Sequence, residues 1–359
     1  MRADRIEIQN YRNLKTALIE CHPSVNVIYG DNAQGKTNLL EAIWLFSGAR
    51  SFRGAKDSEC IRHGEEMARL KLDFEALGQQ HSARLDISGR RIATLDGVSL
   101  KTAGELAGNF KAVVFSPTHL SLIKDGPEVR RRFIDTAIGQ IWPKYIELLK
   151  NYAHLLAQRN ALLKDIRFNS QLYDMLDVYD DTLAKFGCQI VSYRLRYVAK
   201  LNQYVGNIYG GISGGKEVLD IEYSATSGQN EADFLIALKE SRNKDISTAT
   251  TSVGPHRDEL LVSINGQPAR AFGSQGQQRS AVIALKLSEA AVISEISGEH
   301  PVALLDDVMS ELDEGRQDYI LNHIKDWQVF ITCCDRNSVK LLKEGIALHM
   351  SEGEVIKAN

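Results

Sequence analysis

Gly30-Asp31-Asn32-Ala33-Gln34-Gly35-Lys36-Thr37 carries the spacing GxxxxGKT and follows directly on Val25-Asn26-Val27-Ile28-Tyr29, a short run that reads as a buried strand. Beyond it, apolar residues at Leu39, Leu40, Ile43, Trp44 and Phe46 recur at helical spacing. Strand, glycine-bounded loop and helix in that order predict a chain that wraps phosphates with inward-pointing backbone N–H groups at a helix N-terminus. In such a loop Gly30, Asp31, Asn32, Ala33, Gln34 and Gly35 form the cradle. Lys36 reaches the β- and γ-phosphates, and Thr37 offers its hydroxyl to Mg2+. These residues point to a nucleotide site.

Two later stretches belong with it. Pro301-Val302-Ala303-Leu304-Leu305-Asp306-Asp307 is a continuous apolar run ending in two carboxylates, the pattern of a central parallel strand covered on both faces. At its C-terminal end Asp306 is placed to hold Mg2+ through its water shell. Asp307 either orients the attacking water or is a solvated strand-end carboxylate. Ahead of this strand, Phe272-Gly273-Ser274-Gln275-Gly276-Gln277-Gln278-Arg279 opens an apolar-periodic helix. Ser274 can cap that helix, and Gly276 leaves its first turn open to an anion. One nucleotide has no evident need of two cradles in one chain.

Composition excludes several classes. The chain has 359 residues, 43% of them hydrophobic and 25% charged, within the ordinary soluble range, and its length suggests two lobes. A formal net charge of -3 rules out bulk attraction to nucleic acid, so any such site must be a local patch. Five scattered cysteines without a CxxC argue against a disulfide framework or a zinc cluster. No signal peptide opens the chain, and the apolar stretch near Ala281–Ile296 is broken by Lys286, Glu289 and Glu295. A cytoplasmic protein without a membrane span is expected.

Ser-x-Gly-Gln ahead of the Asp strand resembles the signature of ATP-binding-cassette (ABC) ATPases, in which two heads clamp two ATPs and each lends its serine loop to the other's γ-phosphate. Ser310-Glu311-Leu312-Asp313 is similar to their D-loop. A histidine often follows the next strand, Val329–Thr332, in that superfamily; here Cys333 and Cys334 stand there. The resemblance implies an α/β fold with an ABC-type P-loop ATPase head, lobe I, of mixed sheet and helices, and a mostly helical lobe II. The interval from Lys36 to Asp306 is too short for a long coiled coil at ~1.5 Å per residue.

Within that superfamily Ile8–Leu14, the nucleotide loop, Arg50-Ser51-Phe52-Arg53, Phe115-Ser116-Pro117, Arg130–Asp135, Gly254-Pro255-His256-Arg257-Asp258, the serine loop and Leu305–Val308 together resemble the bacterial RecF family of replication and repair proteins. The resemblance runs from residue 1 to about 335. It implies an ATP-dependent homodimer that binds double-stranded and gapped DNA and acts with RecO and RecR in RecA loading, recombinational repair and the SOS response. It further implies slow hydrolysis with Asp307 in place of the usual glutamate. Ser274, Gln275, Gly276 and Gln277 would then serve the partner's nucleotide, and Arg12 would lie near the phosphates or adenine. A transporter-energising subunit and a passive DNA-binding module are the other classes these motifs allow.

The remaining sequence supplies the lobes. Met67–Ala76 and His81–Ile92 alternate like strands, with Gly78 and Gly89 as breakers, Pro127 to about Tyr209 is helical, and residues 210–217 and 224–231 read as glycine- and serine-rich loops. Residues 1–115 with 296–359 are assigned to lobe I and 116–295 to lobe II. Tyr173, Tyr179, Tyr193 and Tyr197 suit core packing better than base stacking. For DNA the local basic residues are Arg50, Arg53, Arg130, Arg131 and Arg132, the first two serving DNA, a dimer partner or solubility equally well. The last three stand near a helix start, where cations oppose the dipole, so phosphate contact and an acidic neighbour are equally good explanations.

Overall fold

The computed structural model describes residues 1–334 and 344–358. In chain order the strands are β1 (Arg2–Tyr11), β2 (Leu14–Glu20), β3 (Val25–Tyr29), β4 (Ala68–Ala76), β5 (Gln79–Ile87), β6 (Arg91–Leu95), β7 (Val98–Ser99), β8 (Ala112–Phe115), β9 (Leu219–Ser224), β10 (Glu259–Ile264), β11 (Gln267–Pro268), β12 (Val302–Asp306), β13 (Val329–Cys333), β14 (Gly345–Ser351) and β15 (Glu354–Ala358). The helices are α1 (Lys36–Trp44), α2 (Ser121–Lys124), α3 (Pro127–Ile141), α4 (Lys144–Ile166), α5 (Met175–Ser213), α6 (Glu231–Thr248), α7 (Ala269–Phe272), α8 (Gln275–Ser297) and α9 (Glu314–His323).

The central sheet has the order β15-β14-β3-β13-β12-β8 and is parallel except for β15, which runs antiparallel to β14. Every residue of β12 is buried, and alternate side chains enter different cores. Val302 and Leu304 join the cluster around Leu39, Leu40 and Ile43 of α1. Ala303 and Leu305 join the cluster around Ile283 and Leu287 of α8. This two-sided burial is the reason the strand reads as an unbroken apolar run. On the α1 side lies an antiparallel sheet of order β2-β1-β4-β5-β6-β7, whose β4 turns Ala68, Leu70, Leu72 and Phe74 inward. The alternation over His81–Ile92 falls on β5 and β6, which part at the expected breaker Gly89, where φ is 79°.

The helical lobe is built on α3 to α6 and the small sheet β11-β10-β9. The turn between β10 and β11 is Asn265-Gly266, both at positive φ, as a two-residue hairpin requires. Helix α8 is buried around most of its circumference because it packs on α5 and also beneath the central sheet. Residues 210–213 are not loop as expected: α5 continues through them to Ser213 and ends on Gly214 in the left-handed region. Gly211 permits this, since a Cβ there would lie 2.4 Å from the hydroxyl of Tyr319 on α9. Tyr197 is fully buried and Tyr193 packs on Trp142 and Tyr145, whereas Tyr173 is partly exposed beneath Arg242. Among the described residues no helix is long and apolar enough to cross a membrane.

Candidate nucleotide site and signature helix

The loop between β3 and α1 takes its shape from positive-φ backbone at three of its residues. Gly30 has φ 151°, and a Cβ on it would stand 2.2 Å from the Met350 carbonyl oxygen of β14. Ala33 and Gly35 also have positive φ. Helix α1 begins at Gly35 with no side chain capping its first N–H groups and no acidic residue in its first turn. Those donors and the positive end of the helix dipole therefore face the loop. Lys36 arches over the loop, its Nζ donating to the carbonyls of Gly30 at 2.6 Å and Asp31 at 2.9 Å. Asn13, in the β1–β2 turn, buttresses the outside: its Nδ2 donates to the Ala33 carbonyl at 3.3 Å, and its Oδ1 accepts from Asn38 Nδ2 at 2.7 Å.

Parallel pairing sets the carboxylates beside this loop. Register places Asp306 opposite Thr332, and Thr332 opposite Ile28, so the ends of β12, β13 and β3 align. Thr37 Oγ1 donates to Asp306 Oδ1 at 2.7 Å, and Thr332 Oγ1 lies 3.2 Å from the same oxygen. Asp306 is buried, and burial together with the charge of Asp307 pushes its pKa up against those hydrogen bonds. Its ionised form is thus less favoured in the fold than in the unfolded chain, and that stability is lost as pH rises through the carboxylate range. Asp306→Asn should therefore raise the melting temperature without added nucleotide by about 2 °C at pH 7, corresponding to ~1 kcal/mol. The gain should shrink toward pH 4. A differential scan at the two pH values checks this, and a lowered melting temperature at pH 7 contradicts it.

Asp307 has φ 51°, a left-handed conformation costing roughly 1–3 kcal/mol when a non-glycine residue is forced into it. Two bonds secure it: its N–H donates to Thr332 Oγ1 at 2.8 Å, and Ser310 Oγ donates to its carbonyl at 2.8 Å. The carboxylate is partly exposed.

The Arg12 guanidinium is engaged with helix α1. Its Nε and Nη2 donate to Glu41 Oε2 at 2.6 Å and Oε1 at 2.9 Å, and its Nη1 donates to the Glu59 carbonyl. Glu41 is fully buried and also accepts from the Tyr11 and Ser51 hydroxyls. Arg12 is thereby raised in pKa despite its burial, through the carboxylate it faces. It fixes the β1–β2 turn against the nucleotide helix.

Ser274 caps α8. Its hydroxyl accepts from Gln277 N at 3.3 Å while Gln277 Oε1 accepts from Ser274 N at 2.7 Å, a capping box that leaves the serine proton for an outside acceptor. Ser274 and Gln275 are exposed. Gln277 and Gly276 bond to Glu217 and Arg316, not to residues 30–37. Arg279 reaches the Glu311 carbonyl and Arg316 joins Gly276 and Ser280 to Asp313, so α8 is tied to the segment 310–313 that follows the Asp strand.

Where the superfamily often has histidine, Cys334 donates its thiol to Asn32 Oδ1 at 3.0 Å and lies 3.7 Å from Lys36 Nζ. It is exposed, while Cys60 and Cys333 are buried. Alkylating Cys334 should reduce nucleotide affinity at least tenfold, and bound nucleotide should protect it; Cys334→Ser should abolish the sensitivity. Titration of a fluorescent nucleotide before and after treatment reads this out, and equal affinity would contradict it.

The basic residues separate by environment. Arg130 is buried in a bidentate pair with Glu259, both distances 2.7 Å, and also donates to the Leu122 and Asp125 carbonyls. For Arg130 the acidic neighbour is thus the explanation the structure supplies. Arg132 is exposed and pairs with Glu128 one turn back. Arg131 is half-buried and, among the described residues, reaches only the Asp258 carbonyl, at 2.7 Å. Arg50 and Arg53 are exposed, the latter on Asn38 Oδ1 at 2.9 Å. Glu41, Thr332, Asn13 and Arg316 escaped sequence reading. A carboxylate on the inward face of the apolar α1 was the available signal for Glu41; the others depend on pairing that spacing does not encode.

Nucleotide loop, buried Asp strand end and serine-capped helix, set on this mixed sheet, define an ABC-type ATPase head. The profile of the RecF/RecN/SMC N terminal domain matches residues 3–357. DNA replication and repair protein RecF of Lachnoclostridium phytofermentans is 42% identical over 332 residues, 91% of each chain, and that of Clostridium perfringens is 40% identical with the same coverage. The chain belongs to the RecF family. A solved structure of the recombination mediator protein RecF-ATP in the RecFOR pathway superposes with a TM-score of 0.94 at 37% identity, covering 100% of this chain and 98% of that one. The Smc head of Pyrococcus furiosus shares the fold, with a TM-score of 0.56 at 16% identity, covering 100% of this chain and 96% of that one.

Proposed function

We propose that this chain is an ATP-driven switch of recombinational DNA repair: two copies close around two ATP molecules, clamp DNA at boundaries between single and double strands, and release it on slow hydrolysis. Residues 1–115 with 296–359 act as the nucleotide lobe, and 116–295 as the lobe presenting the signature. The observation that carries the reading is the pair of phosphate-ready helix termini in one chain, the uncapped start of α1 and the exposed Ser274 loop, which shares no hydrogen bond with the nucleotide loop. A second copy resolves the duplication, its Ser274 meeting the γ-phosphate bound by the first. Exposed Phe272, beside Ser274, suits such an interface.

Each residue then has a task. The α1 N–H groups and Lys36 hold the phosphates. Thr37 and Asp306 are the residues that would hold Mg2+, and they fit it: a hydroxyl and a buried carboxylate with, among the described residues, no cationic side chain bonded to it. When bound, that ion supplies charge neutralisation for the β- and γ-oxygens. Asp307, held by Thr332 and Ser310, orients the attacking water. Its short side chain accounts for slow turnover, which suits a timed clamp. In this reading RecO and RecR are functional partners, as the RecFOR pathway named for the solved relative suggests, and the outcome is RecA loading, replication restart and SOS induction.

Sedimentation tests the assembly. With ATP the Asp307→Asn chain should run as a dimer, while Lys36→Met and Ser274→Arg should each stay monomeric under the same conditions. Monomers throughout would overturn the reading.

A further inference from the structure

Between the two lobes runs a cleft of about 840 Å³ whose walls carry six cationic side chains, Arg50, Arg91, Arg131, Arg132, Lys150 and Arg194, against the carboxylates of Glu128 and Asp135. Both carboxylates are already matched, Asp135 by a bidentate bond from Arg194 and Glu128 by Arg132. Arg91 is paired outside the cleft with Asp57. Three cations are left over. Arg50 and Lys150 are exposed, and neither side chain has a hydrogen bond or ion pair among the described residues. Arg131 has a single carbonyl partner among the described residues, and burial followed by the like charge of Arg194 pushes its pKa down. A protein of net charge -3 has thus concentrated unmatched positive charge in one groove, with contributions from both lobes.

We infer that this cleft seats the sugar-phosphate backbone of DNA, with Arg50, Arg131 and Lys150 as the phosphate contacts; the inference rests on the DNA-clamp reading and gives it a surface. The groove presents no ring for base stacking, because its aromatic residue Tyr152 is buried with its hydroxyl bonded to His256. His256 itself is held neutral, its pKa pushed down to about 4, chiefly by burial. With three cationic side chains and no stacking platform, the groove suits phosphates, and binding is expected to be largely independent of sequence. The position of Arg50 links the groove to nucleotide. Helix α1 runs roughly 14 Å from the phosphate loop, and Trp44 at its end donates Nε1 to the Arg50 carbonyl at 2.8 Å. The helix that binds ATP at one end thereby fixes a DNA contact at the other.

Fluorescence anisotropy with a labelled duplex, in ATP and over a range of salt, tests the site. Arg50→Ala/Lys150→Ala removes two side chains without a partner among the described residues, so the fold should stand, and sedimentation with ATP should still give the dimer. We expect binding at low salt to weaken at least tenfold, equally for unrelated sequences, and the slope of log K against log salt to flatten by about 1.8. Undiminished duplex binding by this variant overturns the cleft and leaves the ATP clamp standing. If the variant keeps duplex but loses a polyglutamate peptide that the wild-type chain binds, the cleft is an acidic-peptide groove instead. A wild-type chain that binds no duplex overturns both proposals.

Discussion

Glu41→Ala should destabilise the protein by about 3–5 kcal/mol and also weaken nucleotide binding at least tenfold. The stability loss follows from what the carboxylate leaves behind. Glu41 has no exposed surface and accepts from Tyr11, Arg12 and Ser51. Without it a largely buried guanidinium loses its counter-charge and the buried Tyr11 hydroxyl loses its partner, the situation in which breaking a buried pair is most costly. A melting-temperature fall on the order of 10 °C corresponds to that range for a chain of this size. The binding loss follows from position. Arg12 anchors the turn that carries Asn13, and Asn13 supports the nucleotide loop at Ala33 and the first turn of α1 at Asn38. Glu41→Gln keeps the acceptor and the shape but removes the charge, so its effects should be smaller on both measures. Calorimetric melting with nucleotide titration at 15 °C separates the two. A Glu41→Ala chain melting within 2 °C of wild type would show that the buried carboxylate is not the anchor of this turn.

The parts of the site legible in sequence are those in which local order and chemistry coincide. Gly30–Thr37 must be preceded by a strand and followed by a helix, and each neighbour announces itself by its own periodicity. The Asp306 strand is legible because burial on two faces leaves an unbroken apolar run. Arginines were opaque for the opposite reason. Arg130, Arg131 and Arg132 are consecutive, yet one is buried on Glu259 of β10, one rests on the Asp258 carbonyl and one is exposed on Glu128. Those partners lie a turn or more than a hundred residues away, and which one an arginine meets is decided by how α3 packs on β10. Gly254–Asp258 was similarly mute. Its His256, Pro255 and Asp258 bond to Tyr152, Arg194 and Tyr223, side chains from three other segments. The helical run through Gly210 to Ser213 went unseen because glycine content signals a loop, whereas here Gly211 makes room for Tyr319 of α9.

Arg159→Ala should cost as much stability as Glu41→Ala, about 3–5 kcal/mol, yet leave nucleotide affinity within twofold of wild type. Arg159 on α4 is fully buried, with Nε donating to Asp180 of α5 at 2.7 Å and Nη1 to Asp245 of α6 and to the Thr251 hydroxyl, both at 2.8 Å. One guanidinium therefore joins three helices. Asp180 retains Arg242 as a partner when it is removed, but among the described residues Asp245 keeps only hydroxyl and backbone donors for a charge with no exposed surface. Most of the cost should lie in that orphaned charge rather than in the lost pair, so Arg159→Met/Asp245→Asn should recover at least half of it. The damage should also be local. Helices α4 to α6 belong to the core under α8, whereas α1 and β4 belong to the other face of the central sheet. Hydrogen exchange of Arg159→Ala should show protection lost in α4–α6 and kept in α1 and β3. Uniform loss across both faces would mean that the lobes unfold as one unit. A double variant less stable than the single would mean that the ion pair itself, not the stranded carboxylate, carries the stability.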